Sequence, residues 1–414
     1  MRPLLARKAT SPATARQHLP EGLRNPIEHF TKARALRGAV PMFERLAGKS
    51  VRPLERAAAL SFAASVRSPM NEDLTGISML RFAKRADMAQ MEREWSEMPG
   101  VVYAHRVPAR WLAATKKPTP KVDPLLNRQW GLRAINWFAT PEATRSVRPD
   151  VRVGVLDTGI DRKHPDFEYL KLNYRSEDSE DDIIGHGTHV AGIIAADAAN
   201  DIGVSGICRL EELHVWKIFG DEPNPYDGEF YVDDLLYQRA LGESRSARMN
   251  VINLSIGGTA SSKTEEILFK RLIDGGTTVV AAMGNEYEDG NPVEYPGAYK
   301  GVIAVGAVTP ANRRARFSNT GKHITLSAPG TGILSTLPTE TSVARDETGY
   351  AAWDGTSMAT PHVVAAAAVV LSEGKAGSGT PAEVRTRLTA TATKLSASKQ
   401  EVGSGLLNLA KALS

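Results

Sequence analysis

Cysteine is nearly absent from this chain: Cys208 is the only one in 414 residues. A single thiol forms no intramolecular disulfide, so the fold must rest on core packing and needs no oxidising compartment. Unbroken apolar runs of membrane-spanning length are also missing, so no membrane partner is expected. Met1 to Pro20 carries arginines but no apolar stretch long enough for a secretory signal peptide, which makes a cytoplasmic location the expectation. Two hydrolytic signatures do not occur. Without G-x-S-x-G there is no strand-to-helix elbow of the α/β-hydrolase kind, and without H-E-x-x-H there is no helical zinc pair.

Acidic residues are missing from the first twenty positions, and the charge is uneven beyond them. Residues 1–70 hold 13 Lys and Arg against 4 Glu and no Asp, so a basic leader precedes a body that is net acidic although the whole chain is +4. Such a leader docks on its own acidic domain, serves as a targeting presequence or binds a polyanion. No nucleic-acid motif accompanies it, so docking is the expectation and a nucleic-acid partner is not.

Three short strings carry chemistry. Gly355-Thr356-Ser357-Met358-Ala359-Thr360-Pro361-His362 leads into an unbroken Ala- and Val-rich stretch, which places Ser357 on the first turn of a buried helix. The unpaired N–H groups of that turn form an anion site beside a hydroxyl, as acyl transfer requires. A serine hydroxyl needs a base and the base needs an orienting group. Val151 to Leu156 reads as a buried parallel strand that delivers Asp157 at its carboxyl end. Gly185-His186-Gly187-Thr188-His189 opens an apolar helix, with His186 in the glycine-flanked turn and His189 inside it. His186 is therefore the candidate base, and His189 and His362 are read as structural. Taken singly, Gly-Thr-Ser is a helix cap and Asp-Thr-Gly a strand exit; the combination is what points to a nucleophilic triad.

Asp157, His186 and Ser357 in this order, together with Asn253 to Gly258 and Ala281-Ala282-Met283-Gly284-Asn285-Glu286, resemble the subtilisin-like serine peptidases, or subtilases, over about residues 126–414. The resemblance implies an endopeptidase acting on protein or peptide substrates, with Asn285 in the oxyanion hole and no cofactor in catalysis. It implies that Ser255, Ile256, Gly257 and Gly258 pair with the substrate backbone, with Glu286 at the rim of the first specificity pocket. Glu294 aligns with the base of that pocket, where a carboxylate favours Lys or Arg; the other reading of Glu294 is a side chain facing solvent. A structural Ca²⁺ site is implied at Asp166 and Asn200, hard oxygen donors of the right kind. The family's usual glutamine near the start of this domain has no counterpart, since Leu125, Leu126 and Asn127 occupy the region.

Strands alternating with helices over Val151–Leu156, Glu212–Ile218, Val251–Leu254, Thr278–Ala282 and Val302–Val305 predict a doubly wound, mostly parallel α/β sheet with flanking helices. A small α+β domain precedes it. Ile77 to Phe82 alternates like a strand, Met88, Met91, Trp95 and Met98 recur at helical spacing, and Val101 to Ala104 resumes a strand after Pro99-Gly100. This β-α-β order resembles the subtilase propeptide, which implies that the N-terminal region acts as an intramolecular inhibitor. The expected organisation is a leader at 1–70, the propeptide-like module at 71–115, a linker at 116–125 and the catalytic domain at 126–414.

Overall fold

The structure, a computed structural model, describes residues 122–175, 182–226, 228, 230–339, 342–344 and 348–414, and in the N-terminal region residues 2–7, 77–79, 93, 96 and 101–107. The chain divides into two compact units, Met1–Pro118 and Thr119–Ser414.

The first unit contains a three-stranded antiparallel sheet of β1 (Arg2–Arg7), β2 (Ile77–Met79) and β3 (Val101–Val107), in the order β2-β1-β3. Leu4 of β1 lies opposite Met79 on one side and His105 on the other. This pairing crosses the boundary expected between a leader at 1–70 and a module at 71–115. Two short strands gain backbone partners by taking a third between them, and sequence distance does not hinder this. The methionine-rich helical pattern at 88–98 and the lysines at 116, 117 and 121 fall largely outside the described residues.

The second unit is built on a seven-stranded sheet. Its strands are β4 (Val153–Asp157), β5 (Lys171–Arg175), β6 (Glu212–Lys217), β7 (Val251–Leu254), β8 (Thr278–Ala282), β9 (Ile303–Val308) and β10 (Ile324–Pro329). All pair in parallel in the order β10-β9-β8-β7-β4-β6-β5. After β4 the chain builds β5 and β6 on one side, then returns to build β7 to β10 on the other. The order reverses beside β4, and in such sheets the crevice beyond the carboxyl ends at the reversal is where ligands bind. Asp157 closes β4 at that point.

Side chains alternate across the sheet, and each face buries its own core. Val153, Val155, Val251 and Val280 pack under α1 (His186–Ala195) and the later helix of residues 356–372. Leu156, Ile252, Leu254 and Val279 face α2 (Asp234–Ser246) and α3 (Lys263–Asp274). These two outer helices start on side-chain caps: Asp233 accepts from Leu235 N and Leu236 N, and Ser262 from Glu265 N.

A β11–β12 hairpin (Ile333–Thr336 and Tyr350–Trp353) precedes α4 (Thr356–Ser372) and α5 (Pro381–Thr391). Along α4 the four alanines 365–368 are fully buried, and the small side chains let the helix lie directly against β7, β8 and β9. No described helix is long and apolar enough to cross a membrane. The parallel α/β architecture expected of residues 126–414 is therefore present. Two strands had no clear sequence signal: β5 is mixed polar and lies at one edge, and β10, at the other edge, ends in a proline that an edge position tolerates.

Candidate active site

Three elements bring the predicted triad residues to one end of the sheet. Asp157 is fully buried at the end of β4, and its Oδ1 accepts from His186 Nδ1 at 2.7 Å and from Thr158 N at 2.8 Å. Its Oδ2 is buried without a hydrogen-bond partner among the described residues. Burial disfavours a charge on His186, yet the Asp157 carboxylate, its hydrogen bond and the more distant Asp182 outweigh that, and the imidazole pKa stands above its ordinary value. The side chain keeps 23 % of its surface open, so its second nitrogen is free to meet an incoming group.

The turn that presents His186 is held by a residue the sequence reading missed. Asp182 is buried, with Oδ1 accepting from Thr158 Oγ1 and Gly185 N and Oδ2 accepting from Thr188 N and Thr188 Oγ1. One carboxylate thus ties the exit of β4 to the start of α1, which is the distance the Asp157–His186 contact must span. No single local motif marks Asp182, because its partners are spread over three, six and twenty-four residues. His189, one turn along, stacks on Trp353 with ring centroids 4.7 Å apart and bonds Ala351 O through Nε2. Burial pushes its pKa down to about 3. His362 is likewise buried, bonds Met358 O through Nδ1 and is pushed down to about 4. Both are neutral core histidines and not a second base.

Ser357 occupies the second position of α4, as expected, after Gly355, whose φ of 155° and ψ of 153° belong to a region open essentially to glycine alone. Its Oγ donates to Ser255 O at 3.2 Å, while Ser255 Oγ donates to Ser357 O at 2.8 Å. That second bond has a cause in the sequence: Pro361 sits inside α4 without an N–H, so the carbonyl four residues earlier, on Ser357, lacks its helical donor. Asn285 lies on the exposed side of the same corner. Its Oδ1 accepts from Thr356 N and Thr356 Oγ1, both at 2.9 Å, which fixes the amide and leaves its NH₂ as the outward donor.

Beside Ser357, Gly257 and Gly258 are exposed, Ile256 is half-buried and Ser255 is buried. Gly258 exchanges backbone bonds with Tyr295 at 3.0 and 2.8 Å, which brings Glu294 beneath this segment. Glu294 is buried, 5 % exposed, so the solvent-facing reading does not hold. A Cβ placed on Gly257 would come within 2.2 Å of Glu294 Oε2, and one on Gly284 within 2.1 Å of Oε1. The carboxyl therefore lies between the segment leading from Ser255 and the one ending in Asn285. Glu286 is half-buried nearby and accepts from Asn285 N at 2.6 Å. Asn319, also missed in the sequence, donates to Glu294 Oε1 at 2.6 Å.

Asp166 and Asn200 do meet: Asn200 Nδ2 donates to Asp166 Oδ1 at 3.0 Å, and Val204 N to Oδ2 at 2.9 Å. Asp123 joins them from the start of the unit, accepting from Ala199 N and Asn200 N at 3.0 Å and from Ser205 Oγ. Both carboxylates are buried, and no ion pair to either occurs among the described residues. Hard oxygen atoms of this kind belong to the Ca²⁺ class, although each here already accepts a hydrogen bond within the protein and no set of three or more His, Cys, Asp or Glu is arranged as a metal cage among the described residues.

A buried carboxylate bonded to an imidazole, a serine at a helix start and a fixed amide stand at one corner of a doubly wound sheet, the groups that the serine-hydrolase chemistry expected from the sequence calls for. The family model described as the subtilase family matches residues 148–405, and the chain belongs to that family. Subtilisin of Bacillus pumilus is 40% identical over 270 residues, covering 63% of this chain and 90% of that protein. Subtilisin E of Bacillus subtilis (strain 168) is also 40% identical over 270 residues, and the match spans 65% of its length. Among solved structures, the psychrophilic subtilisin-like protease Apa1 from the Antarctic psychrotroph Pseudoalteromonas sp. AS-11 superposes with a TM-score of 0.58, covering 69% of this chain and 96% of that one at 21% identity. As a subtilase the protein is a serine endopeptidase, a hydrolase that needs no cofactor for catalysis.

Proposed function

We propose that Ser357 attacks the peptide carbonyl while His186 takes its proton, with Asp157 holding the imidazole tautomer and stabilising the charged form. The observation that carries this reading is the 2.7 Å bond from His186 Nδ1 to a fully buried Asp157 at the same sheet corner as Ser357. For this transfer the Ser357 hydroxyl leaves Ser255 O for the second nitrogen of His186. The outward NH₂ of Asn285 and the Ser357 N–H, a first-turn donor, then hold the oxyanion. His186 returns the proton to the leaving amine, and a water repeats the sequence on the acyl-enzyme. Labelling by a fluorophosphonate probe tests the assignment: it should vanish in Ser357→Ala, and labelling that survives there would overturn it.

Specificity follows from the neighbouring segment. The substrate backbone pairs with Ser255 to Gly258, a mode that binds without reading side chains. The side chain before the scissile bond then enters towards Glu294, with Glu286 at the rim, and Lys or Arg is preferred. Asp166 and Asn200, with Asp123 added from the structure, are the residues that would hold a structural Ca²⁺. The N-terminal region serves as the enzyme's own inhibitor, and Lys116 and Lys121 are the cleavage sites in keeping with a basic preference, since Lys117 precedes a proline.

A further inference from the structure

Glu286 and Glu294 converge on one buried amide. Asn319 is fully buried, and its single amide nitrogen faces three acceptors: Glu294 Oε1 at 2.6 Å, Pro292 O at 3.2 Å and Glu286 Oε2 at 3.5 Å. Two hydrogens serve three oxygens, two of which belong to carboxyl groups. The other groups around Glu294 bring no charge to balance it. The segment 255–258 offers a serine, an isoleucine and two glycines, the end of β8 offers Met283, Gly284 and Asn285, and the 317–320 turn offers Phe317, Ser318, Asn319 and Thr320. Arg314, which reaches the same turn, is committed to the carbonyls of Ala315, Arg316 and Ser318 and lies over the Tyr287 ring. Glu286 is thus the titratable group set against Glu294.

Resting on the basic-pocket reading above, we propose that Glu286 and Glu294 hold one proton between them in the free enzyme, with Asn319 as the positioning residue, and that a Lys or Arg side chain entering the pocket expels it to solvent. Like charges drawn to one amide nitrogen in a partly dry site favour one shared proton over two anions. A cation between them reverses that balance, because it compensates both. Discrimination for a basic over a neutral side chain is then a function of pH, small where the proton is bound and large once solvent takes it up freely. Consistent with this placement, Glu294 is pushed up to about 8 by burial, then by the hydrogen bond and charge of Glu286. Glu286 is held below its usual range, first by that same hydrogen bond.

The test compares kcat/KM for two peptides that differ only in Arg or its neutral isostere citrulline before the scissile bond, from pH 6 to 9. Taking the ratio cancels the titration of His186, which both substrates share. The ratio should rise by roughly tenfold per pH unit and level off near pH 8 in the wild type. In Glu286→Gln the rise should move to lower pH, since the shared partner is gone, and in Glu294→Gln the ratio should collapse. Calorimetric titration with an arginine peptide aldehyde in buffers of different ionisation heat should show close to one proton released near pH 7. An Arg preference that is flat with pH and releases no proton overturns the shared proton while leaving the basic pocket standing. A ratio near one at every pH overturns the pocket reading beneath it.

Discussion

Ser255 and Ser357 exchange hydrogen bonds, each hydroxyl donating to the other's backbone carbonyl, at 2.8 and 3.2 Å. This reciprocal pair ties the segment that follows β7 to the first turn of α4. It exists because Pro361 withholds the N–H that would otherwise occupy Ser357 O.

A double-mutant cycle follows. Ser255→Ala leaves a half-buried carbonyl without its donor and should cost about 1 kcal/mol or more in urea unfolding. Pro361→Ala restores an N–H at the right helical spacing, so the same serine replacement should cost about 1 kcal/mol less in that background. Additive costs would show that the proline does not create the vacancy Ser255 fills.

His186→Ala should lower kcat by about 10²–10⁴ or more with the thermal midpoint little changed, because the side chain fills no core. In the wild type, the base works only when neutral, and its pKa is raised. The rate should therefore climb with pH through a midpoint above the ordinary imidazole value, and Asp157→Asn should move that midpoint down. A midpoint that stays put in Asp157→Asn would contradict the assigned pair.

His189 behaves oppositely. Its folded-state pKa of about 3 lies below its ordinary 6.5, so the stability tied to its neutral form is present above 6.5 and lost as pH falls towards 3. By pH 4 this one group should cost about 3 kcal/mol. His189→Gln should flatten the acid limb of a stability-versus-pH curve. If that limb were unaltered, the loss would lie elsewhere.

Calcium should raise the melting temperature of the wild type by mass action on the folded state, and a chelator should lower it. Asp166→Ala and Asp123→Ala should each abolish the response. Identical transitions with calcium and with chelator in the wild type would remove the ion from the protein.

Glu294→Gln should reduce kcat/KM for lysine and arginine peptides by about 10²-fold while leaving leucine peptides within a few-fold. It should also slow self-cleavage after Lys116 or Lys121, read by intact mass and N-terminal sequencing beside Ser357→Ala. An unprocessed chain in an active preparation would reject the linker as a substrate.

Residues that act through their own local pattern were legible in the sequence. Ser357 could be placed because an unbroken Ala/Val run follows it, Asp157 because a buried parallel strand is a continuous apolar run, and His186 because glycines bracket it at a helix start. The sheet class came from the alternation of such runs. What the chain's order could not show were partners fixed by packing: Asp182 reaching across from the approach to α1 to β4, Asn319 inserted between two glutamates, Asp123 closing the loop around Asn200, and Ser255 completing Pro361's helix. Hydrogen bonds of this kind join residues 6 to 102 positions apart. Which backbone groups remain unpaired, and which carboxylates are stripped of water, is set only once the helices and sheet have closed on one another. Glu294 is the clearest case. Its identity was plain in the sequence, but whether it faced solvent or the interior depended on Gly257 and Gly284 leaving room for its carboxyl, a fact of tertiary packing alone.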